Sequence, residues 1–208
     1  FQKNCEEVVD LFPDYVERPN YSPDGNRIQD AWRFLNPVKN LAVLETVLKW
    51  LRLFYQREPI PFQTLNFKDG TEQGMHSDVI HFHCLPHRFM VGVWIALEKC
   101  TIENGCLRAL PRSHFNGTKK RMFVDHEAKE RKVQFSNDGR EGSEEVEYKV
   151  EDFVPLTVDA GTLVFLHGEN FHWSLANTSD TSRVAYSVHY VEGGKDSCVW
   201  LKDNWLQR

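Results

Sequence analysis

The sequence predicts a mainly β domain preceded by a buttressing helix, and three patterns carry that expectation. Strands dominate from Ile60 onward, where β-branched and aromatic residues cluster in short runs. Between Arg183 and Val191 the chain alternates strictly. Arg183, Ala185, Ser187 and His189 fall on one face, and Val184, Tyr186, Val188 and Tyr190 on the other. Ahead of the strands, Leu41, Leu44, Leu48, Leu51 and Tyr55 recur at three- and four-residue steps and make a single apolar stripe.

Taken in chain order, residues 1–27 are turn-rich, with Pro19, Pro23 and Gly25 marking loops. Asn36 reads as a helix cap and Pro37 as the first helical residue, so one helix is expected from there to about Gln56. Lys49 and Arg52 fall off its apolar stripe, which makes it a core-facing helix under a sheet. Phe89 to Leu97 is apolar on both faces. Gly92, Trp94 and Ala96 share one side, and small residues beside a tryptophan either leave room for a ligand or pack tightly. Residues 116–150 carry Gly139, Gly142 and a mixed-charge run through Glu141, Glu144, Glu145 and Glu147. They read as a mobile excursion between strands, either a substrate lid or a surface loop. Gly161 to His167 reads as a strand that Gly168 breaks.

Composition fits one globular domain over the 208 residues, with 41% hydrophobic and 26% charged residues. Twenty-five Lys and Arg against 30 Asp and Glu give a formal charge of −5. That balance offers no electrostatic reason to bind nucleic acid. Lys119-Lys120-Arg121 reads as a solvated loop. No apolar run is long enough for a membrane helix, so no membrane partner is expected. The chain begins at Phe1 with no leader-like pattern over 1–11, and it reads as a fragment or a processed form. Cys5, Cys84, Cys100, Cys106 and Cys198 include no C-x-x-C pair, which fits reduced thiols and a cytoplasmic location.

The chemistry concentrates in His76-Ser77-Asp78 and a later histidine. Two imidazoles and a carboxylate are the ligand set that holds a non-haem Fe(II) with open positions left over. If His76 and Asp78 lie on a strand, both point to one side and reach one metal. His167 and His172 compete for the third position among the chain's 9 histidines, which include His81, His83 and His87. Arg183 follows His172 by eleven residues, and a guanidinium grips a carboxylate as a bidentate fork. The ordinary reading of the Arg183 face is solvent; with the upstream ligands, it becomes the lining of a cavity. Together these residues point to an iron and 2-oxoglutarate oxygenase.

Longer stretches sharpen this. Pro61 to Phe67, Gly70 to Gln73, Gly92 to Glu98, Glu103 to Leu107, Leu110 to His114, Gly161 to Phe165, Phe171 to Ser174 and Arg183 to Tyr190 resemble the phytanoyl-CoA dioxygenase family. The likeness runs from about Asp30 to about Gly193. It looks closer to the uncharacterised bacterial-type branch than to the peroxisomal enzyme that names the family. It implies a double-stranded β-helix, a jelly-roll or cupin-like barrel with N-terminal buttressing helices. Residues 1–59 would form the N-terminal loops and helix, 60–193 the barrel with the excursion at 116–150, and 194–208 a tail.

The resemblance implies roles for particular residues. His76, Asp78 and His172 match the iron ligands, which leaves His167 packed beside the site. Arg183 matches the arginine that holds the distal carboxylate of 2-oxoglutarate, and Ser174 a serine that assists it. Trp94 and Leu65 match cosubstrate contacts, Leu65 falling where relatives often have Met. The family's lysine on the N-terminal side has no match, and Arg112 stands where relatives often have Gly. Halogenases of the family lack the carboxylate, so Asp78 implies hydroxylation of a small molecule, with Fe(II), 2-oxoglutarate and O2 required and ascorbate as a stimulant. Two other readings stay open: a cupin-type metal enzyme without 2-oxoglutarate, and a non-catalytic jelly-roll binding module.

Overall fold

The computed structural model describes residues 27–67, 75–82, 89–116, 121–122, 131–134 and 145–193. The turn-rich start, the Gly70–Gln73 stretch, His83, His87, Lys119, Lys120, Gly139, Gly142, the 194–208 tail and three of the cysteines (Cys5, Cys84 and Cys198) lie outside these residues.

Two sheets face each other. The larger has the order β1-β2-β11-β3-β9, built from β1 (Arg27–Gln29), β2 (Pro59–Phe67), β3 (Met90–Ala96), β9 (Leu163–His167) and β11 (Ala185–Glu192). The smaller is β10-β4-β8, from β4 (Leu107–Ala109), β8 (Val154–Pro155) and β10 (His172–Ser174). All pairings are antiparallel. Leu107 and Cys106 beside the smaller sheet pack with Leu65, Trp94, Leu166 and Ala185 of the larger one, which closes the sandwich.

The alternation of β11 sorts its side chains between two layers. Val184, Tyr186, Val188 and Tyr190 belong to one core cluster with Val38, Leu41, Val47 and Leu51 of the helices. Ala185, Ser187 and His189 turn the other way, Ala185 into the inter-sheet cluster and the other two onto a cavity wall. The polar face therefore lines an interior, and the solvent reading of that face is set aside.

The helical region is two helices, not one. α1 spans Asn36–Ala42 and α2 spans Glu45–Tyr55, with Leu35 rather than Asn36 at the N-cap and Pro37 within the first turn, where a missing N–H costs nothing. Leu44 is extended (φ −62°, ψ 122°) and separates them. The break leaves the Ala42 carbonyl without a helical donor, and the buried Tyr190 hydroxyl donates to it at 2.7 Å. Tyr186 donates to the Val38 carbonyl at 2.9 Å and Tyr55 to the Tyr190 carbonyl at 3.1 Å. The central strand is thus bonded to both helices. On the far side of α2, Arg52 is forked between Glu45 at 2.6 Å and Glu58 at 2.9 Å.

Part of the expected 116–150 excursion is regular. β5 (Arg121–Met122), β6 (Arg131–Gln134) and β7 (Glu145–Tyr148) form a small antiparallel sheet. The register sets Lys132 opposite Glu147 and Val133 opposite Val146. Part of the mixed-charge run, Glu145 to Glu147, is therefore paired strand backbone, which a one-dimensional reading cannot distinguish from a polar loop.

The departure at Arg112 has a backbone meaning. Its φ is 64°, in the left-handed region where a Cβ costs about 1–2 kcal/mol. Glycine there gives back part of that gain through unfolded-chain entropy, leaving about 0.5–1 kcal/mol. Arg112→Gly should therefore raise the melting temperature by about 1–4 °C. Thermal denaturation checks this, and an unchanged or lower value would show that the arginine carries its own compensating contact.

Candidate functional site

His76 does not sit on a regular strand as the H-x-D spacing suggested. It forms an isolated antiparallel bridge with His172, closed by two backbone hydrogen bonds of 3.0 Å. Asp78 follows in a turn, directly ahead of a short helix, α3 (Val79–Phe82). The bridge, not strand parity, aligns the two imidazoles, whose ring centres are 4.4 Å apart. The turn then swings Asp78 between them. Nε2 of His172 and Nε2 of His76 lie 3.5 and 3.7 Å from Oδ1 of Asp78.

The turn is held from behind. Val79 N–H donates to the Gly168 carbonyl at 3.1 Å, and Gly168 N–H to the Met90 carbonyl at 2.9 Å. The glycine that ends β9 thereby anchors the segment carrying Asp78. Its absent side chain matters too, since a Cβ there would meet Val79 Cγ1 at 2.9 Å and the Met90 carbonyl at 3.0 Å. Gly92 does the same service from β3, because a Cβ on it would stand 3.0 Å from Oδ2 of Asp78. The room beside Trp94 is thus filled by the Asp78 carboxylate.

His172 is fixed by a network that sequence reading missed. Its Nδ1 lies 3.0 Å from the Asn170 carbonyl. A carbonyl only accepts, so Nδ1 carries the proton and Nε2 keeps a lone pair. The Asn170 side chain donates to Ser113 Oγ at 2.6 Å and to the Leu110 carbonyl at 2.8 Å, and Phe171 N–H donates to the same Ser113 Oγ at 2.8 Å. Ser113, only 1% exposed, ties the Leu110–His114 motif to the strand bearing His172. His167 is outside this group. Its ring lies 5.2 Å from that of His114, and its Nδ1 accepts from Glu169 N–H.

The ligand atoms of His76, Asp78 and His172 lie within 4.8 Å of one another, and among the described residues no other such cluster occurs. Their chemistry fits a divalent cation. The Nε2 lone pair of His172 and an anionic oxygen of Asp78 face each other across 3.5 Å, and two acceptors so placed call for a positive charge between them. Burial pushes the Asp78 carboxyl up, but where His172, His189 and His76 carry charge in the metal-free site they outweigh it and hold the group well below the usual carboxylate range.

The cluster opens into a cavity of about 330 Å³ between the sheets. Leu65, Trp94, Leu107 and Leu166 supply its apolar wall, and Arg27, Gln29, Gln63, Ser187 and His189 its polar part. Arg27 is a second residue that the sequence reading missed. It pairs with Phe67 in β1 and brings a cation to the cavity from the N-terminal side, where no lysine was found. Arg183 and Ser174 are buried but do not contribute to this wall. Arg183, 0% exposed, lies beyond Ala185 beside the inter-sheet cluster, near Cys100 and Cys106. Burial pushes the Cys100 thiol up to about 11 against the opposing pull of Arg183, and Cys106 is raised likewise. Both are free, protonated thiols rather than nucleophiles.

Facing antiparallel sheets, helices on the outer face and a His/Asp/His cluster between the layers define a double-stranded β-helix protein with a candidate metal centre. The chain belongs to the phytanoyl-CoA dioxygenase (PhyH) family, which it matches over residues 8–185. It is 38% identical over 156 residues to a phytanoyl-CoA dioxygenase of Arabidopsis thaliana, covering 73% of this chain and 50% of that one. Phytanoyl-CoA dioxygenase 1 of Oryza sativa subsp. japonica is 35% identical over 223 residues, covering all of this chain and 73% of its own. The chain thus spans about half the length of the Arabidopsis relative. Among solved structures, the epimerase SnoN in complex with Fe3+, alpha ketoglutarate and nogalamycin RO superposes with a TM-score of 0.67 at 16% identity, over 91% of this chain and 75% of that one. At that identity the likeness is one of fold. No helix among the described residues is long and apolar enough to cross a membrane.

The close approach at Gly92 yields a direct test. Gly92→Ala should push the Asp78 carboxylate aside and weaken binding of Co(II), used as a probe ion, by about tenfold. Calorimetric titration measures this, with the melting temperature as a check on folding. Unchanged affinity would mean that the carboxylate has space to yield.

Proposed function

We propose that the protein is an Fe(II)- and 2-oxoglutarate-dependent dioxygenase that hydroxylates a small-molecule substrate. The observation that carries this reading is the convergence of His76, Asp78 and His172 at the wall of a cavity that also holds an arginine. A cavity of about 330 Å³ with an apolar wall and a few placed polar groups has the form of a ligand site. When bound, Fe(II) with 2-oxoglutarate and O2 supplies the oxidising power, with succinate and CO2 as co-products.

The chain's own residues then have separable tasks. His76 and His172, through imidazole nitrogens, and Asp78, through Oδ1, would hold the metal. Arg183 and Ser174, buried behind the cavity wall, are the residues that the family resemblance assigns to the far carboxylate of the cosubstrate, which the guanidinium would grip by a two-pronged contact. Arg27 supplies the second cation of the cosubstrate site, in the role for which no lysine is present. Leu65, Trp94 and Leu166 exclude water from the reacting centre, which strengthens each of these contacts. Gln29 and Gln63, on neighbouring strands of the same wall, are the amides available to a polar substrate. Retention of Asp78 supports hydroxylation over halogenation.

The test is succinate formation by anaerobically purified protein given Fe(II), 2-oxoglutarate and ascorbate and then exposed to O2. The parent should form succinate and Asp78→Ala should not; equal turnover in both would sink the assignment. Succinate-free O2 consumption would point instead to a cupin-type metal enzyme. Loss of Arg183 or Arg27 to Ala should raise the 2-oxoglutarate requirement about 10- to 100-fold, the worth of one charge-assisted contact. An unchanged requirement in Arg183→Ala would reduce that residue to a core cation, and in Arg27→Ala to a surface one.

A further inference from the structure

The side of Asp78 away from the two ligand histidines is also occupied. Nε2 of His189 lies 3.6 Å from Oδ2 of Asp78, while Oδ1 faces His76 and His172. Each carboxylate oxygen therefore has its own partners. Gly92, paired with His189 across β3 and β11, closes the floor beneath Oδ2.

His189 is built in as firmly as the ligands. It is 4% exposed, and its ring lies 4.9 Å from that of Phe82 and 6.0 Å from that of Phe62. The pairing of β11 with β2 is irregular at His189/Tyr190, and Phe62 is the extra residue on the β2 side. Bulges of this kind re-aim a side chain. Nδ1 of His189 is buried with no hydrogen-bond partner among the described residues. An N–H there would be an orphaned donor, so the ring proton belongs on Nε2, facing Asp78. At 3.6 Å the contact is an electrostatic one rather than a closed hydrogen bond.

We infer that His189 is a positioning residue, which holds Oδ2 of Asp78 away from the metal so that the carboxylate binds through Oδ1 alone. The inference rests on the metal reading above. Its consequence is a coordination count. A carboxylate that turned both oxygens to the ion would take up one more position, at the expense of a cosubstrate that needs two and an O2 that needs one. The aromatic neighbours set where the imidazole stands, and the imidazole sets which oxygen is free.

The experiment uses the full chain and Co(II), whose visible spectrum reports coordination number. His189→Met removes the donor and keeps an unbranched side chain suited to aromatic neighbours. His189→Phe removes it and keeps a ring. His189→Gln retains an N–H. The expected result is Co(II) binding about 10- to 100-fold weaker, with an altered spectrum, in the Met and Phe variants. The Gln variant should stay within about threefold of the parent, which a merely structural role would not produce. Parent-like affinity and spectrum in whichever donor-free variant folds would overturn the inference. So would an equal loss in Gln and Met at matched melting temperature. A parent protein that binds no Co(II) would remove the metal reading itself, whereas normal binding with indifferent His189 variants would remove only this inference.

Discussion

A carboxylate buried among imidazoles sets the terms for the rest of this molecule. Asp78 is 5% exposed and ionised, and an unpaired charge at that depth would cost several kcal/mol. Its surroundings are therefore specified from four directions. The β10 strand brings His172, the isolated bridge brings His76, β11 brings His189, and β3 withholds a side chain at Gly92. None of these is adjacent to another in sequence except through the fold. The double-stranded arrangement is what lets four segments meet at one carboxylate.

The same constraint explains the smaller fittings. Gly168 ends β9, but it also ties the Asp78 turn to β3 through two backbone hydrogen bonds. Ser113 and Asn170 look like ordinary loop residues, yet together they fix the carbonyl that fixes the His172 tautomer. A metal ligand needs its lone pair aimed as well as present, and second partners of this kind determine the aim.

Much of this was legible in one dimension because periodicity and ligand chemistry are local. The alternation of Arg183–Val191 sorts the two faces of β11, and the H-x-D pair with a distant histidine names the three residues that cluster, while Arg183 lies outside the cavity wall. What escaped was set by contacts between distant segments. The helix break at Leu44 leaves an Ala42 carbonyl that a distant strand satisfies, through the Tyr190 hydroxyl. His76 and Asp78 converge through a bridge and a turn, although their spacing suggested a strand. Arg27 lies in a three-residue strand too short to show a pattern, and only its pairing with Phe67 brings it to the cavity. His189 sat in plain view on the polar face of β11, and the parity that exposed Arg183 was the signal for it. Arg112 stands where relatives often have Gly, but its left-handed backbone, which decides what a glycine would do there, has no sign in one dimension.

β11 joins stability to function in one element. Tyr186 and Tyr190 donate to helix carbonyls on one side, while Ser187 and His189 face the cavity on the other. Successive residues thus serve opposite layers, and neither layer can shift without moving the other. The irregularity at His189/Tyr190 falls between a tyrosine that anchors the helices and a histidine that faces the carboxylate. An anchor placed one residue from a positioning group transmits little slack, because a strand in the middle of a sheet is held on both edges. The helices outside the sheet are in this sense part of the site. They bond Tyr190, the residue next to His189 on the central strand, and His189 in turn faces the oxygen of Asp78 that the other two histidines leave alone.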